Sequence, residues 1–470
     1  MSKIEVNTID VASGCTMTIG SSGKTITIPA GATITNNGTQ SGFGRSGSVN
    51  WDTTAKTTGF TAVSGNGYFV NTGSGAVTVT LPASPSAGDI VAIADYGGTA
   101  ATSNITIDRN GSNFEGGATN GAILNNRDVV TLVYVDGTQG WLSVADNTGT
   151  YQSREYVAAT GGNTTATCGN YKIHTFTAPG TLCVSNIGNS AGNNQFEYLV
   201  VAGGGGGGLE DGSSTAAGGA GGGGMRFAAP SLSGCSYPGK PLAGATITAT
   251  PGGIPITVGA GGAAPSCSPV LNNGSDSVFS SITSAGGGGG ANTNHPASAT
   301  PGRRGNSGGS GGGGGHANPG SPGNVPPVTP AQGTDGGDAA VVYLSGGGGG
   351  AVVAGTDSTS SQGGPGGDGA GFPNAFGSSN GVSCGSHRYY AGGGGGGGSS
   401  NRPQTGPAGN GGKGGGAPGG AGQTNAPASS VTNSGGGGGG AGNKYPGTGK
   451  IYGSNGGSGI VVIRYQYQGS

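Results

Sequence analysis

Tyr390-Ala-Gly-Gly-Gly-Gly-Gly-Gly-Gly-Ser399 carries seven consecutive glycines, Gly392 to Gly398. Further runs stand at Gly203–Gly208, Gly221–Gly224, Gly286–Gly290, Gly311–Gly315, Gly346–Gly350 and Gly435–Gly440. Glycine loses the most backbone entropy on ordering, so a helix of such runs would melt. A strand of them would have no side chains to pack. Apolar, strand-like segments nevertheless frame the runs, as in Tyr198-Leu-Val-Val-Ala202 and Val341-Val-Tyr-Leu344. The conformation that suits them is an extended helix of three residues per turn, polyglycine II. Its backbone groups point outward and can bond a neighbouring rod where no side chain intervenes.

Of the 470 residues, 116 are glycine; 29 lie in residues 1–200 and 87 in the rest. Composition therefore breaks near Ala202. Charged residues make up 8% and the formal net charge is −1. Disordered chains usually stay solvated by charge, which this chain lacks. No basic stripe suits nucleic acid and no polybasic segment suits anionic lipid. No apolar stretch of about 20 residues suits a membrane span, so membrane insertion is not expected. The N-terminus has no apolar core of signal-peptide length. Cys15, Cys168, Cys183, Cys235, Cys267 and Cys384 fit no zinc spacing. Cys168/Cys183 and Cys235/Cys267 could form disulfides, but the preferred reading is isolated small hydrophobes.

The reading along the chain is all-β, with no helical periodicity of useful length. Residues 1–44 hold short period-two strands at Thr16–Ile19, Thr25–Ile28 and Ala32–Thr35, too short to bury a core alone. They suit a homotrimeric stalk or virion-attachment segment, or an arm that orders on its partner. Residues 45–150 read as a β-sandwich-like domain, with strands at Gly67–Val70, Ala76–Leu81, Ile90–Ala94, Asn104–Ile107, Val129–Val135 and Trp141–Val144. Residues 151–470 read as one glycine-rich domain. A β-framework, 151–202 and 456–470, encloses a polyglycine II bundle at 203–455. Within the bundle glycine recurs every third residue at Gly302–Gly314, Gly363–Gly369 and Gly406–Gly415. The first register would make a rod of roughly 40 Å. It is lost within five triplets, which favours bundling within one chain over a collagen-like triple helix.

Motifs for chemistry are weak. Gly20-Ser-Ser-Gly-Lys-Thr25 lacks the first glycine of a phosphate loop, and Gly447-Thr-Gly-Lys-Ile451 lacks the hydroxyl residue. Gly363–Gly371 fits a calcium β-roll repeat once, where tandem copies are needed. The sparse acids of the glycine-rich part, such as Glu210/Asp211, Asp276, Asp335/Asp338, Asp357 and Asp368, are not flanked by the aromatic clusters of sugar clefts. No catalytic residue, metal site or cofactor is expected, and His174 reads as a framework residue. The candidate contact residues are polar and aromatic side chains at the ends of glycine segments: Arg303, Arg304, His316, Phe372, Phe376, His387, Arg388, Tyr389, Tyr390, Tyr445 and Tyr452. Tyrosine and arginine dominate binding hot spots, and binding residues favour loops on rigid scaffolds. Of these, Ser386-His-Arg-Tyr-Tyr390 is the leading point of contact. The other reading is that such residues fold back over the lattice ends.

Phe176-Thr-Ala-Pro-Gly180 and Glu197-Tyr-Leu-Val-Val-Ala-Gly-Gly-Gly-Gly-Gly-Gly208 resemble the entry to the glycine-rich domain of bacteriophage tail-fibre and adhesin proteins. Gly456-Gly-Ser-Gly-Ile-Val-Val-Ile-Arg-Tyr465 resembles its closing strand. Thr131-Leu-Val-Tyr-Val-Asp-Gly-Thr-Gln-Gly-Trp141 is similar to a small β-domain of marine and cyanobacterial phage tail fibres. The resemblance implies a homotrimeric fibre in the virion, made in the host cytoplasm and joined to other tail proteins through its N-terminus. It also implies a polyglycine II tip whose loops recognise a host surface receptor, an outer-membrane protein or a polysaccharide. Alternatives are a purely structural fibre or decoration protein and a polysaccharide-degrading spike.

Overall fold

The computed structural model describes Thr25, Thr27 and residues 49–146, 155–189, 192–212, 215–267, 270–293, 303–400, 405–422, 430–443 and 449–468. The strands expected at Thr16–Ile19 and Ala32–Thr35 lie outside the described residues, as does most of that at Thr25–Ile28. The chain is all-β, with short 3-10 turns as its helical pieces among the described residues.

Nine strands build the first unit: β1 (Asn50–Lys56), β2 (Phe60–Thr61), β3 (Asn66–Val70), β4 (Val77–Thr80), β5 (Ile90–Asp95), β6 (Ile105–Asp108), β7 (Gly121–Ile123), β8 (Val129–Tyr134) and β9 (Trp141–Asp146). They form two sheets, β1-β3-β5-β8-β9 and β2-β4-β6-β7. The first six strands alternate between the sheets, and β1/β3, β3/β5, β2/β4 and β4/β6 pair in parallel. A parallel neighbour needs a crossover, and here the crossover is a strand of the opposite sheet. The chain thus winds before it folds back through antiparallel β7, β8 and β9. Asp136 turns β8 into β9 by accepting the N–H groups of Thr138 and Gln139 on Oδ1. Val70, Ile93 and Leu132 of one sheet and Val79, Ile107 and Ile123 of the other share one core.

The glycine-rich unit contains β10 (Val157–Thr160), β11 (Thr164–Cys168), β12 (Tyr171–Phe176), β13 (Gly180–Ile187), β14 (Gln195–Val201), β15 (Glu210–Asp211), β16 (Met225–Ala228), β17 (Ile247–Thr248), β18 (Gly252–Thr257), β19 (Ser277–Phe279) and β20 (Ile282–Ser284). It continues through β21 (Ala370–Phe372), β22 (Val382–Cys384), β23 (His387–Tyr390), β24 (Lys450–Ile451) and β25 (Ile460–Gln466). Two sheets, β10-β13-β18-β19-β20 and β11-β12-β25-β14-β16, form its framework. The last strand, β25, sits between β12 and β14. Its unbroken apolar run has a physical cause, since both faces are buried. Val461, Ile463 and Tyr465 enter the core between the sheets, while Ile460 and Val462 enter a second core on the other face. Strands from inside the glycine-rich stretch, β16 and β18–β20, complete the framework. The flanks alone do not close it.

His174 stands opposite Ile463 on β12 and is fully buried. Its Nδ1 lies 2.7 Å from the Gly161 carbonyl and its Nε2 3.0 Å from the Tyr465 hydroxyl. A carbonyl only accepts, so Nδ1 carries the proton and Nε2 accepts. Burial lowers the pKa of His174. Below the ordinary value of about 6.5 the unfolded chain therefore binds the proton first. Stability falls as pH drops through 6.5 and levels off below the folded-state pKa. The urea midpoint is expected to decline from pH 7.5 to pH 5. In His174→Asn that decline should be shallower, whatever the variant's stability at pH 7.5. An equally steep decline would remove His174 as its source.

From the framework the glycine runs extend as rods that bond one another within the single chain. Gly203 and Gly206 donate to Ser275 and Asn272, Gly204 and Gly207 to Gly457 and Ser454, and Gly205 and Gly208 to Gly221 and Gly218. Their carbonyls accept from Gly287 and Gly290, from Gly262, and from Gly438 and Ala441. Bonds to one neighbour recur every third residue, which is the period of polyglycine II. Six surrounding segments make the packing hexagonal.

This packing explains both sequence patterns. An interior rod faces neighbours all round and must be glycine, or occasionally alanine, throughout. An edge rod needs glycine only on its inner face. Gly363, Gly366 and Gly369 run beside Pro407, Asn410 and Lys413 as such an edge. A Cβ on Gly366 would lie 2.1 Å from the Gly393 carbonyl.

Three expectations are corrected. The described part of the Gly302–Gly314 register is not one rod, because the chain doubles back, with Gly312 donating to the Asn306 carbonyl. The third register breaks at Gly414 and Gly415, whose φ of +103° and +94° turns the chain. Val341–Leu344 forms bends, not a strand.

Several acids of the lattice are edge caps. Asp276, Asp335, Asp338 and Asp357 accept the N–H groups of Gly286, Gly323, Gly320 and Asp338. An edge rod lacks a neighbour on one side, so a short carboxylate supplies the missing acceptor. Cys168, Cys183, Cys235, Cys267 and Cys384 are free and exposed, so neither considered disulfide forms and these residues are not buried hydrophobes.

Candidate functional site

The rods have two distinct ends. At one end several of them join the framework, as Val201, Met225, Ser284 and Ile460 lead into or out of β14, β16, β20 and β25, while Gly392–Gly398 follows β23 of the separate β21-β23-β22 sheet. At the other, Ala217 donates to Ala441, Gly218 to Ala291, and Gly397 to Ala217. Ala217, Ala441 and Ile451 make a small apolar plug there. This second end is the tip. Side chains stitch it together. Asn292 accepts the Leu209 N–H, Thr293 accepts the Asp211 N–H, and Lys450 pairs with Asp211 at 3.6 Å.

Arg303, Arg304, His316 and Tyr452 lie at the tip. Gly315 at the end of its rod donates to the Arg303 carbonyl. His316 and Ala317 then reverse the chain at φ +52° and +57°. Asn318 holds the turn by donating to the Gly315 and His316 carbonyls at 3.1 and 2.9 Å. Arg304 is exposed and reaches the Gly320 carbonyl. Burial first, then nearby Arg303, lowers the pKa of His316, which leaves it neutral at pH 7. Tyr452 is 41% exposed. Tyr445 lies outside the described residues.

The other candidates stand at the framework end. Phe372, Phe376 and Tyr390 are fully buried and are not contact residues. They pack with Phe227, Tyr237, Leu199 and Val462 against the outer face of the β14–β25 sheet. Phe372 meets Phe227 edge-on at 4.7 Å and Phe376 at 5.5 Å. Burial raises the Tyr390 hydroxyl far above its ordinary pKa. Sequence spacing misplaces them because residues far apart in the chain converge on one sheet face.

Strand alternation separates the rest of β23. His387 and Tyr389 share a face, with rings 6.4 Å apart, and Arg388 points the other way. All three are half-buried. Lys413 sits 5.9 Å from the Tyr389 ring centre and pairs with Asp368 at 3.0 Å, which raises its pKa. The sequence reading passes over Lys413 and weighs Asp368 only as a sparse acid. Their signal is positional, since Gly369 donates to the Lys413 carbonyl along two edge rods. The structure thus splits the candidates between two ends and does not gather them into one site.

Among the described residues no three His, Cys, Asp or Glu side chains converge as a metal site, and no helix is long and apolar enough to cross a membrane. A family model described as a glycine-rich domain matches residues 177–466. A search of curated proteins finds no match.

Proposed function

Because the chain belongs to the glycine-rich domain family, we propose that it is a bacteriophage tail-fibre or spike subunit that adsorbs to the bacterial surface through its lattice tip. One observation carries this reading: the rods Gly203–Gly208, Gly221–Gly224 and Gly286–Gly290 each adjoin a framework strand at one end, and the described turns at the far end of the lattice carry side chains such as Arg304, His316 and Tyr452. A lattice whose body is all backbone can present side chains only at its edges and ends. Arg304 and Tyr452 are residue types that dominate binding hot spots, here on turns held by a rigid scaffold. On this reading three copies form the fibre, the N-terminal segment joins other tail proteins, and the protein is made in the host cytoplasm. Its location is the virion, and the receptor is an outer-membrane protein or polysaccharide. Weak single contacts would gain strength by avidity. The edge acids are engaged as backbone caps, which supports binding over hydrolysis.

Truncation at Ala202 is unsuitable as a test, since it removes β25 from the middle of a framework sheet. The combined variant Arg303→Ala, Arg304→Ala, Tyr452→Ala leaves every strand of the framework intact. Particles carrying it are expected to assemble normally and to adsorb at least about tenfold more slowly. Adsorption at the parental rate would count against the tip and favour a purely structural fibre.

A further inference from the structure

At the framework end, away from the tip, a cleft of about 310 Å3 opens beside β16. Its floor includes Arg226, and its walls include Thr246, Ser281, Ile282, Thr329 and Pro330. The Arg226 guanidinium makes no hydrogen bond or ion pair with any described residue. No acidic residue lines the cleft. A second hollow of about 410 Å3 shares the Gly244–Thr246 strap and brings Lys240, again with no acid. In a chain with net charge −1, Arg226 is thus a positive charge with no acidic neighbour in its cleft, while Lys240 is already tied to the Ser233 and Cys235 carbonyls.

The walls are held before any ligand arrives. The Asn324 carboxamide oxygen accepts the N–H groups of Val328 and Gln332. Gln332 donates to the Pro326 carbonyl and accepts the Ala285 N–H. Thr329 and Pro330 are therefore carried on a braced loop. Across the cleft the Tyr198 hydroxyl donates to the Ala245 carbonyl, and Gly244 donates to the Phe227 carbonyl. Thr246 Oγ1 donates to Gln195 and keeps its lone pairs for an incoming hydroxyl. A rigid cleft loses little entropy on binding.

We propose that this cleft binds an acidic hexose unit, with its carboxylate or phosphate on Arg226. Its hydroxyls meet Ser281, Thr329 and Thr246, and its apolar ring face meets Ile282 and Pro330. A volume near the lower end of the usual range for ligand pockets, about 300–1,000 Å3, suits one or two sugar units. The site is separate from the tip and stands whether or not the tip adsorbs to a host.

The test titrates the full chain with D-glucuronate, D-glucose 6-phosphate and D-glucose, read by saturation-transfer NMR. At least one acidic sugar is expected to bind about tenfold or more tighter than glucose, the size of effect a charge-assisted hydrogen bond gives. The stronger of the two acids identifies the anionic group. Arg226→Gln should abolish that preference. Thr329→Val, on the loop and outside every strand, should weaken all three sugars alike. Equal binding of acidic and neutral sugars overturns the proposal, as does an unchanged preference in Arg226→Gln or unchanged binding in Thr329→Val.

Discussion

Gly394→Ala is expected to destabilise the glycine-rich unit by about 3 kcal/mol or more, for the addition of a single methyl group. Overpacking a well-packed core costs typically about 1–3 kcal/mol, and this site has no slack. A Cβ on Gly394 would stand 2.0 Å from the Gly438 carbonyl oxygen and 2.5 Å from its carbon. The obstacle is backbone, which cannot rotate aside as a side chain can. Gly394 also donates to the Ala220 carbonyl and accepts the Gly348 N–H, both at 2.8 Å. Moving the rod to relieve the clash therefore strains bonds to two other rods. Asn410→Ala, on the solvent side of an edge rod, is the matched control and should change stability by no more than about 0.5 kcal/mol. Urea unfolding of both variants decides the matter. Equal midpoints would mean that the rods are not packed as described.

Arg464→Met is expected to cost about 3–5 kcal/mol, because it strands a buried carboxylate. Arg464 and Glu197 face each other on β25 and β14, with Nη1 2.8 Å from Oε2 and both side chains 7% exposed. Ser231 completes the group: its N–H and hydroxyl both donate to Glu197, and its oxygen accepts from Arg464 at 2.9 Å. The guanidinium also stacks 3.8 Å above the Tyr171 ring. Removing one partner leaves the other charge in an apolar layer. Removing both, as in Glu197→Leu with Arg464→Met, should recover most of the loss, since apolar replacements of buried pairs are often near neutral. A double variant no more stable than Arg464→Met alone would show that this pair does more than neutralise itself.

Much of this organisation was legible in the chain. Six strands of the first unit stand out by alternation and turn residues, yet β1, β2 and β7 do not, because Asn50-Trp-Asp-Thr-Thr-Ala-Lys56 has no apolar period and Phe60–Thr61 and Gly121–Ile123 are too short to show one. Their parallel winding is not legible, since alternation marks a buried face and does not name the neighbouring strand. Of the candidate contact residues, Arg304 and Tyr452 are exposed, while Phe372, Phe376 and Tyr390 are core. An aromatic beside a glycine run looks the same in either role. Which role it takes depends on the rod end it occupies.

Glycine spacing by itself determined the lattice. Runs such as Gly392–Gly398 mark rods with neighbours on every side, and a non-glycine at every third residue, as at Pro365 and Asp368 within Gly363–Gly369, marks a rod with one open face. Both follow locally from a three-residue turn and the size of a Cβ. The tertiary structure alone decided which end of each rod meets the framework and which is the tip. That choice rests on β25 inserting between β12 and β14, a contact between the last strand and others more than 250 residues earlier, and no local pattern encodes it.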